Sequence, residues 1–218
     1  IQLATRVVSW GMEALRLLSN LTVWIMFISE KVRKYLLSVA RSTIASKLGI
    51  PEDEMKMPGG KDAKILSERR GVFVTLGIGG RLRGCIGHIE GVLPLGLGVR
   101  ENAESAAFGD PRFDPLTKEE FADTDIEISV LSVPEKLEFE DLNDLKSKLR
   151  VGVDGVVLSK GFAKATYLPQ VWENFEQEMG DGVSEDELKE RFLDSLCTKA
   201  GLSSKDGLVI ETYQAEVL

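Results

Sequence analysis

The chain has 218 residues, 43 % hydrophobic and 28 % charged, which excludes a disordered or fibrous protein and fits one large domain or two small lobes sharing a core. Its 35 acids against 27 bases leave a formal net charge of −8, which argues against broad binding along a phosphate backbone. With 2 cysteines and 1 histidine it lacks the ligands for a disulfide framework or a structural zinc site, so no metal site is expected beyond what oxygen ligands alone could form.

The chain opens on an apolar run at residues 21–28, far shorter than the roughly twenty residues a membrane span needs. Upstream, Arg6, Glu13 and Arg16 interrupt the apolar pattern, so no signal peptide is read. Leu3, Val7, Leu15 and Leu18 share one helical face. Residues 1–28 are therefore expected to form an amphipathic extension packed on the body or on a partner, with Met26 a natural initiator. Unpaired cysteines and the lack of a span point to the cytoplasm. Ser29 and Glu30 have the character of a helix start, and Val32, Tyr35, Leu36, Val39, Thr43, Ile44 and Leu48 recur at helical spacing up to Gly49 and Pro51. Residues 51–64 read as a polar loop.

Gly71-Val72-Phe73-Val74-Thr75-Leu76 is rich in strand formers. Gly77-Ile78-Gly79-Gly80 turns the chain, and residues 81–86 return as the second strand of a hairpin. Residues 93–108 read as a helix despite Gly96 and Gly98, because Val99, Ala103, Ala106 and Ala107 give it a close-packing face. A loop at 109–115 leads to a strand at 125–133, with Ile126, Ile128 and Val130 facing inward, and a short helix at 142–149. Residues 151–158 and 164–168 suggest a second hairpin around Ser159-Lys160-Gly161-Phe162. Pro169 opens a helix that runs to Met179. Ser184-Glu185-Asp186-Glu187 has the form of a capping box, followed by the stripe Leu188, Phe192, Leu196 and Ala200. Residues 208–217 alternate as a last strand. Hairpins and helices without βαβ alternation give an α+β fold with a largely antiparallel sheet and flanking helices. A weak seam at 134–150 divides two lobes.

The stretch with most chemical content is Leu82-Arg83-Gly84-Cys85-Ile86-Gly87. Gly84 and Gly87 strip bulk from around a thiol and allow a ligand, an anion or another backbone to come close. Arg83 supplies a cation two residues away, and a nearby cation favours the reactive thiolate. Against this stands a plainer reading, in which Cys85 is a small buried hydrophobe and the glycines mark a bulge. His88 does not complete a Cys/His pair, since residues three apart on a strand point to opposite faces. In Gly109-Asp110-Pro111-Arg112-Phe113-Asp114-Pro115 two prolines stiffen a loop. There Arg112 either pairs with Asp110 or is held ready for a carboxylate or phosphate. Cys197 falls near an apolar stripe and reads as core, and Lys199 and Gly201 fit a helix C-terminus. Gly77-Ile78-Gly79-Gly80 lacks the spacing of a dinucleotide fingerprint.

In order, Gly71-Val72-Phe73-Val74-Thr75-Leu76, Leu82-Arg83-Gly84-Cys85-Ile86-Gly87, Asp110-Pro111-Arg112-Phe113, Ile128-Ser129-Val130-Leu131, Thr166-Tyr167-Leu168-Pro169-Gln170-Val171 and Lys199-Ala200-Gly201 resemble the AMMECR-type domain. The resemblance covers residues 29–218 and implies a prokaryotic or archaeal member with two α+β lobes, the Cys85 hexamer facing a cleft between them. By motif position it carries over Arg83, Gly84, Cys85, Gly87, Asp110, Arg112, Phe113, Leu168, Pro169 and Lys199 as cleft residues, with Cys85 the candidate catalytic group. It implies no defined reaction and no known cofactor. Similar prokaryotic domains occur beside Memo-type and radical-SAM-type proteins. Two functions therefore stand open: a cleft-based enzyme or enzyme component in a modification pathway, and a module that binds a small ligand or such a protein partner. Nucleic-acid binding ranks below both, because no basic, aromatic stripe accompanies the acidic charge.

Overall fold

A computed structural model describes residues 28–180 and 182–218. The expected amphipathic extension and Met26 lie outside those residues. The first described helix, α1 (Glu30–Leu48), starts where the sequence places it: the Ser29 hydroxyl accepts the Val32 N–H. It ends at Gly49, whose φ of 65° suits glycine. Residues 61–64, expected in a loop, instead open a short helix α2 (Lys61–Ser67), which buries only Leu66 and so has no apolar stripe to announce it. The hairpin β1 (Val72–Ile78) and β2 (Arg81–His88) turns on Gly79 and Gly80 alone, both at positive φ. Helix α3 (Leu95–Phe108) follows, then α4 (Lys118–Ala122) and β3 (Thr124–Leu131).

The chain next passes to a second sheet through β4 (Glu135–Lys136), α5 (Leu142–Lys148), β5 (Gly155–Lys160) and β6 (Ala163–Tyr167). Residues 151–154, expected in a strand, form a turn with Gly152 at φ 72°, tied by an Arg150–Asp154 ion pair of 2.5 Å. Helix α6 (Val171–Met179) begins two residues after Pro169, and α7 (Glu185–Lys199) carries the Ser184–Glu187 capping box read from its sequence. The last strand is corrected into two. Strand β7 (Val209–Tyr213) pairs in the second sheet and β8 (Ala215–Val217) in the first, the chain changing sheets at Gln214. Alternation alone cannot reveal that change, because both pieces keep a strand period.

The described residues thus form an α+β fold of seven helices and two four-stranded antiparallel sheets, ordered β2-β1-β3-β8 and β4-β7-β5-β6. None of these helices is long and apolar enough to cross a membrane. The first core packs α1 and α3 on the Val72, Val74 and Leu76 face of β1. The second gathers α6 and α7 around Trp172, whose ring stacks on Phe192 at 3.6 Å between centroids. A third cluster joins the sheets: Leu131, Val157 and Tyr213, with Phe73, Ile89, Leu168 and Ala215 packed against them.

Candidate functional site

The register of the β1–β2 hairpin decides what the hexamer does. From the turn, Ile78 faces Arg81 and Gly77 faces Leu82, but Leu76 faces Gly84. Arg83 is therefore the extra residue of a β-bulge. That slip of one residue sets Cys85 opposite Thr75 and Gly87 opposite Phe73, while Val72, Val74 and Leu76 oppose His88, Ile86 and Gly84. Strand alternation then puts Cys85 and His88 on opposite faces. Gly84 lies on the α3 side, where an added Cβ would stand 2.2 Å from the carbonyl oxygen of Ala106. Its missing side chain admits the protein's own helix rather than a ligand. At Gly87 a Cβ would meet the Phe73 ring at 2.3 Å.

Cys85 sits on the face turned toward the second half of the molecule, half-buried and unpaired, with the Thr75 hydroxyl donating to its Sγ at 3.3 Å. Because β2 is an edge strand, the outward N–H and C=O of Cys85 lack a strand neighbour. The Asp110–Arg112 loop replaces one. Asp110 Oδ2 accepts the Cys85 N–H at 2.9 Å, and Arg112 Nη2 donates to the Cys85 carbonyl at 3.3 Å. The two side chains also bond each other, Nε to Oδ1 at 2.9 Å and Nη2 to Oδ2 at 2.6 Å. The Asp110 carboxylate is almost wholly buried, with 2 % of its side chain exposed. The Arg112 hydrogen bond, helped by the backbone N–H groups of Cys85 and Arg112, holds its pKa well below the usual range against the cost of burial. The structure has the internal ion pair of the two alternatives, with the Arg112 side chain half exposed.

Arg83 is bound elsewhere. Its Nε and Nη2 grip Glu120 of α4 at 2.9 and 3.0 Å, and that hydrogen bond foremost lowers the Glu120 carboxyl to about 2. The cation beside Cys85 is consequently Arg112, not Arg83 as the spacing suggested. Phe113 holds the two arginines apart, its ring centroid 5.7 Å from the Arg83 guanidinium carbon and 5.5 Å from that of Arg112.

The second half contributes Lys199, at the end of α7. Its ammonium lies 4.6 Å from the Tyr167 ring centroid and donates to the Thr166 carbonyl at 3.0 Å. Desolvation first, then the positive charge of Arg112, pushes its pKa down. Leu168 packs into the cluster that joins the sheets, and Pro169 is buried, its carbonyl accepting the Trp172 N–H. A further tie is Gln170 Nε2 donating to Ser129 Oγ at 3.0 Å across the halves. Thr75, Glu120 and Ser129, which touch Cys85, Arg83 and Gln170, were not singled out from the sequence. Counting back from the hairpin turn would have set Thr75 against Gly84, because the bulge cannot be seen in the sequence. No cluster of three or more His, Cys, Asp or Glu able to hold a metal occurs among the described residues.

An α+β protein of two four-stranded antiparallel sheets is the class that this geometry defines. The sequence profile of the AMMECR1 family matches residues 37–218, and the chain belongs to that family. A protein of Methanothermobacter thermautotrophicus is 42 % identical over 181 residues, covering 80 % of this chain and 85 % of its own. One from Saccharolobus solfataricus is 34 % identical over 190 residues, 83 % of this chain and 76 % of its own. The crystal structure of an uncharacterised protein from Pyrococcus horikoshii superposes with a TM-score of 0.70 at 32 % identity, over 87 % of this chain and 92 % of that one.

Proposed function

We propose that this chain is a cleft-based enzyme or enzyme component of a cytoplasmic modification pathway, with Cys85 the group that meets the substrate. One observation supports the reading: the Cys85 thiol is half-buried and unpaired, and its backbone is clamped by the Asp110 carboxylate and the Arg112 guanidinium. A rigid backbone fixes Sγ for attack, and the cations favour an electrophile that carries negative charge nearby. The two free thiols suit a reducing compartment.

Cys197, buried on the inner face of α7, is an internal control for reactivity. In native protein Cys85 should alkylate at least about tenfold faster than Cys197. Its preference for anionic iodoacetate over neutral iodoacetamide should exceed that of a free small thiol and fall in Lys199→Met. Mass spectrometry of the two cysteine peptides reads this directly. Equal labelling of both thiols, or none at Cys85, sinks the proposal.

A second reading, a docking module for a Memo-type or radical-SAM-type partner, draws on the half-exposed Arg112. Its Nη1 makes no hydrogen bond among the described residues and is free for a carboxylate. Loss of partner capture in Arg112→Ala with alkylation of Cys85 unchanged favours that reading over the first.

A further inference from the structure

Gly87 meets the same edge condition as Cys85 but without a brace. Strand β2 has a neighbour on one side only, β1. Along an antiparallel strand, backbone groups point alternately toward the partner and away from it. Those of Cys85 point away from β1, to Asp110 and Arg112. Gly87, two residues on, therefore points its N–H and C=O outward as well. The far side of β1 agrees. Leu131 N–H donates to the Gly71 carbonyl at 2.9 Å, so Phe73 and Thr75, which share that orientation, turn their backbone groups to β3 and not to Gly87 and Cys85.

No group outside the β1 ladder bonds Gly87 among the described residues. The residue is partly exposed, and what it exposes is backbone: it has no side chain, and the Phe73 ring stands where one would be, 2.3 Å from an added Cβ. An open stretch of edge is what an incoming strand pairs with. Toward Cys85 the Asp110–Arg112 loop already occupies the edge, so an added strand stops there. At the stop stands the Arg112 guanidinium, with 53 % of its side chain exposed and Nη1 making no hydrogen bond among the described residues. A strand that stops beside a cation is best ended by an anion.

We propose that the free edge of β2 binds the C-terminal end of an extended polypeptide, which pairs with the Gly87 N–H and C=O antiparallel to β2 and gives its terminal carboxylate to Arg112. The antiparallel direction follows from the charge, since it brings the C-terminus to the Arg112 end. An acidic side chain within a longer chain offers the same carboxylate, but its backbone would have to run on into the Asp110–Arg112 loop. This inference rests on the docking role of Arg112, whose partner class it names, and does not require a reactive Cys85.

The test titrates the isotope-labelled full chain with an N-acetylated pentapeptide of alternating threonine and valine that ends in a free carboxylate, read by NMR. The Gly87 amide signal should move downfield and saturate with a Kd of about 0.1–1 mM. The same peptide ending in an amide should bind at least about tenfold more weakly. An amide-ended peptide with glutamate at its centre, which separates side-chain from terminal carboxylate, should bind no better than the plain amide. Arg112→Gln should weaken the free-acid peptide by about the same factor and leave the amide unchanged. The two peptide forms on the wild-type chain decide the matter even if that variant does not fold. Three results overturn the proposal: no saturable Gly87 shift up to about 10 mM peptide, tenfold above the expected Kd, equal affinity for the acid and the amide, or glutamate-bearing amide binding as tightly as the free acid. If the peptides fail while Arg112→Ala still abolishes capture of a protein partner, the C-terminus proposal falls and the docking reading stands.

Discussion

Asp110 carries more structural duty than its neighbours in the loop. It closes the backbone of an edge strand, orients Arg112, and does both from a nearly sealed position. In Asp110→Asn one of the two acceptor oxygens becomes an NH₂ facing a donor. We expect a loss of about 1–3 kcal/mol at pH 7, measured by urea unfolding. The sign of the pH effect follows from a carboxyl whose pKa is lowered on folding. Its stabilisation is complete above the unfolded value of about 4 and is lost progressively as pH falls from there toward its much lower folded value. The gap between wild type and Asp110→Asn should therefore narrow as pH falls below about 4, and a gap that widens on acidification contradicts the pairing described. Glu120, lowered to about 2 by Arg83, adds to the same acid slope.

Between elements, the hexamer works as a packing device on one face, where α3 lies against it. Helix α3 approaches β2 so closely that Gly84 has no room for a methyl group: the obstacle is the Ala106 carbonyl, which is backbone and cannot rotate aside. Gly84→Ala should cost about 3 kcal/mol or more, seen in thermal or urea unfolding. Gly77→Ala is the matched control. Its Cβ would meet only the Arg81 carbonyl at 3.6 Å, an ordinary contact, and less than about 1 kcal/mol should be lost. Equal losses at both positions would show that strand flexibility, not the helix contact, sets the requirement for glycine.

Across the whole molecule, Tyr213 belongs to the cluster that joins the sheets, packed with Leu131 of the first, and it also braces the strands of its own sheet. It is 1 % exposed, and its hydroxyl donates to the Tyr167 carbonyl at 3.1 Å and bonds Thr166 Oγ1 at 2.9 Å. Its ring also fills the place of a side chain at Gly155, where a Cβ would stand 2.5 Å away. Tyr213→Phe should cost about 1–2 kcal/mol by leaving the Tyr167 carbonyl without this donor. Burial pushes the Tyr213 hydroxyl up to about 12, so in alkali the unfolded chain ionises first. Stability from this group is whole below pH 10 and declines as pH rises toward 12. Melting temperatures at pH 9 and 11 should therefore separate further in wild type than in Tyr213→Phe.

The caps, the apolar stripes and the first hairpin were legible in the sequence because they depend on residues a few positions apart. Ser29 before α1 and Ser184 before α7 needed only their own turns, and the 3.6 and 2 periods of Val32 to Leu48 and of Ile126 to Val130 needed only their own elements. The α+β class followed from the order of those elements. Tertiary structure decided what joins distant segments: the bulge at Arg83, the change of sheet at Gln214, the Asp110–Arg112 brace on a strand 25 residues earlier, and the Gln170–Ser129 tie. Register within a pair is settled by side chains packing across the sheet, and a one-residue slip leaves no mark on local periodicity. So the sequence by itself identified the segment that holds Cys85. Only the folded chain showed that Arg112 and not Arg83 stands beside that thiol, and that Gly84 makes room for a helix.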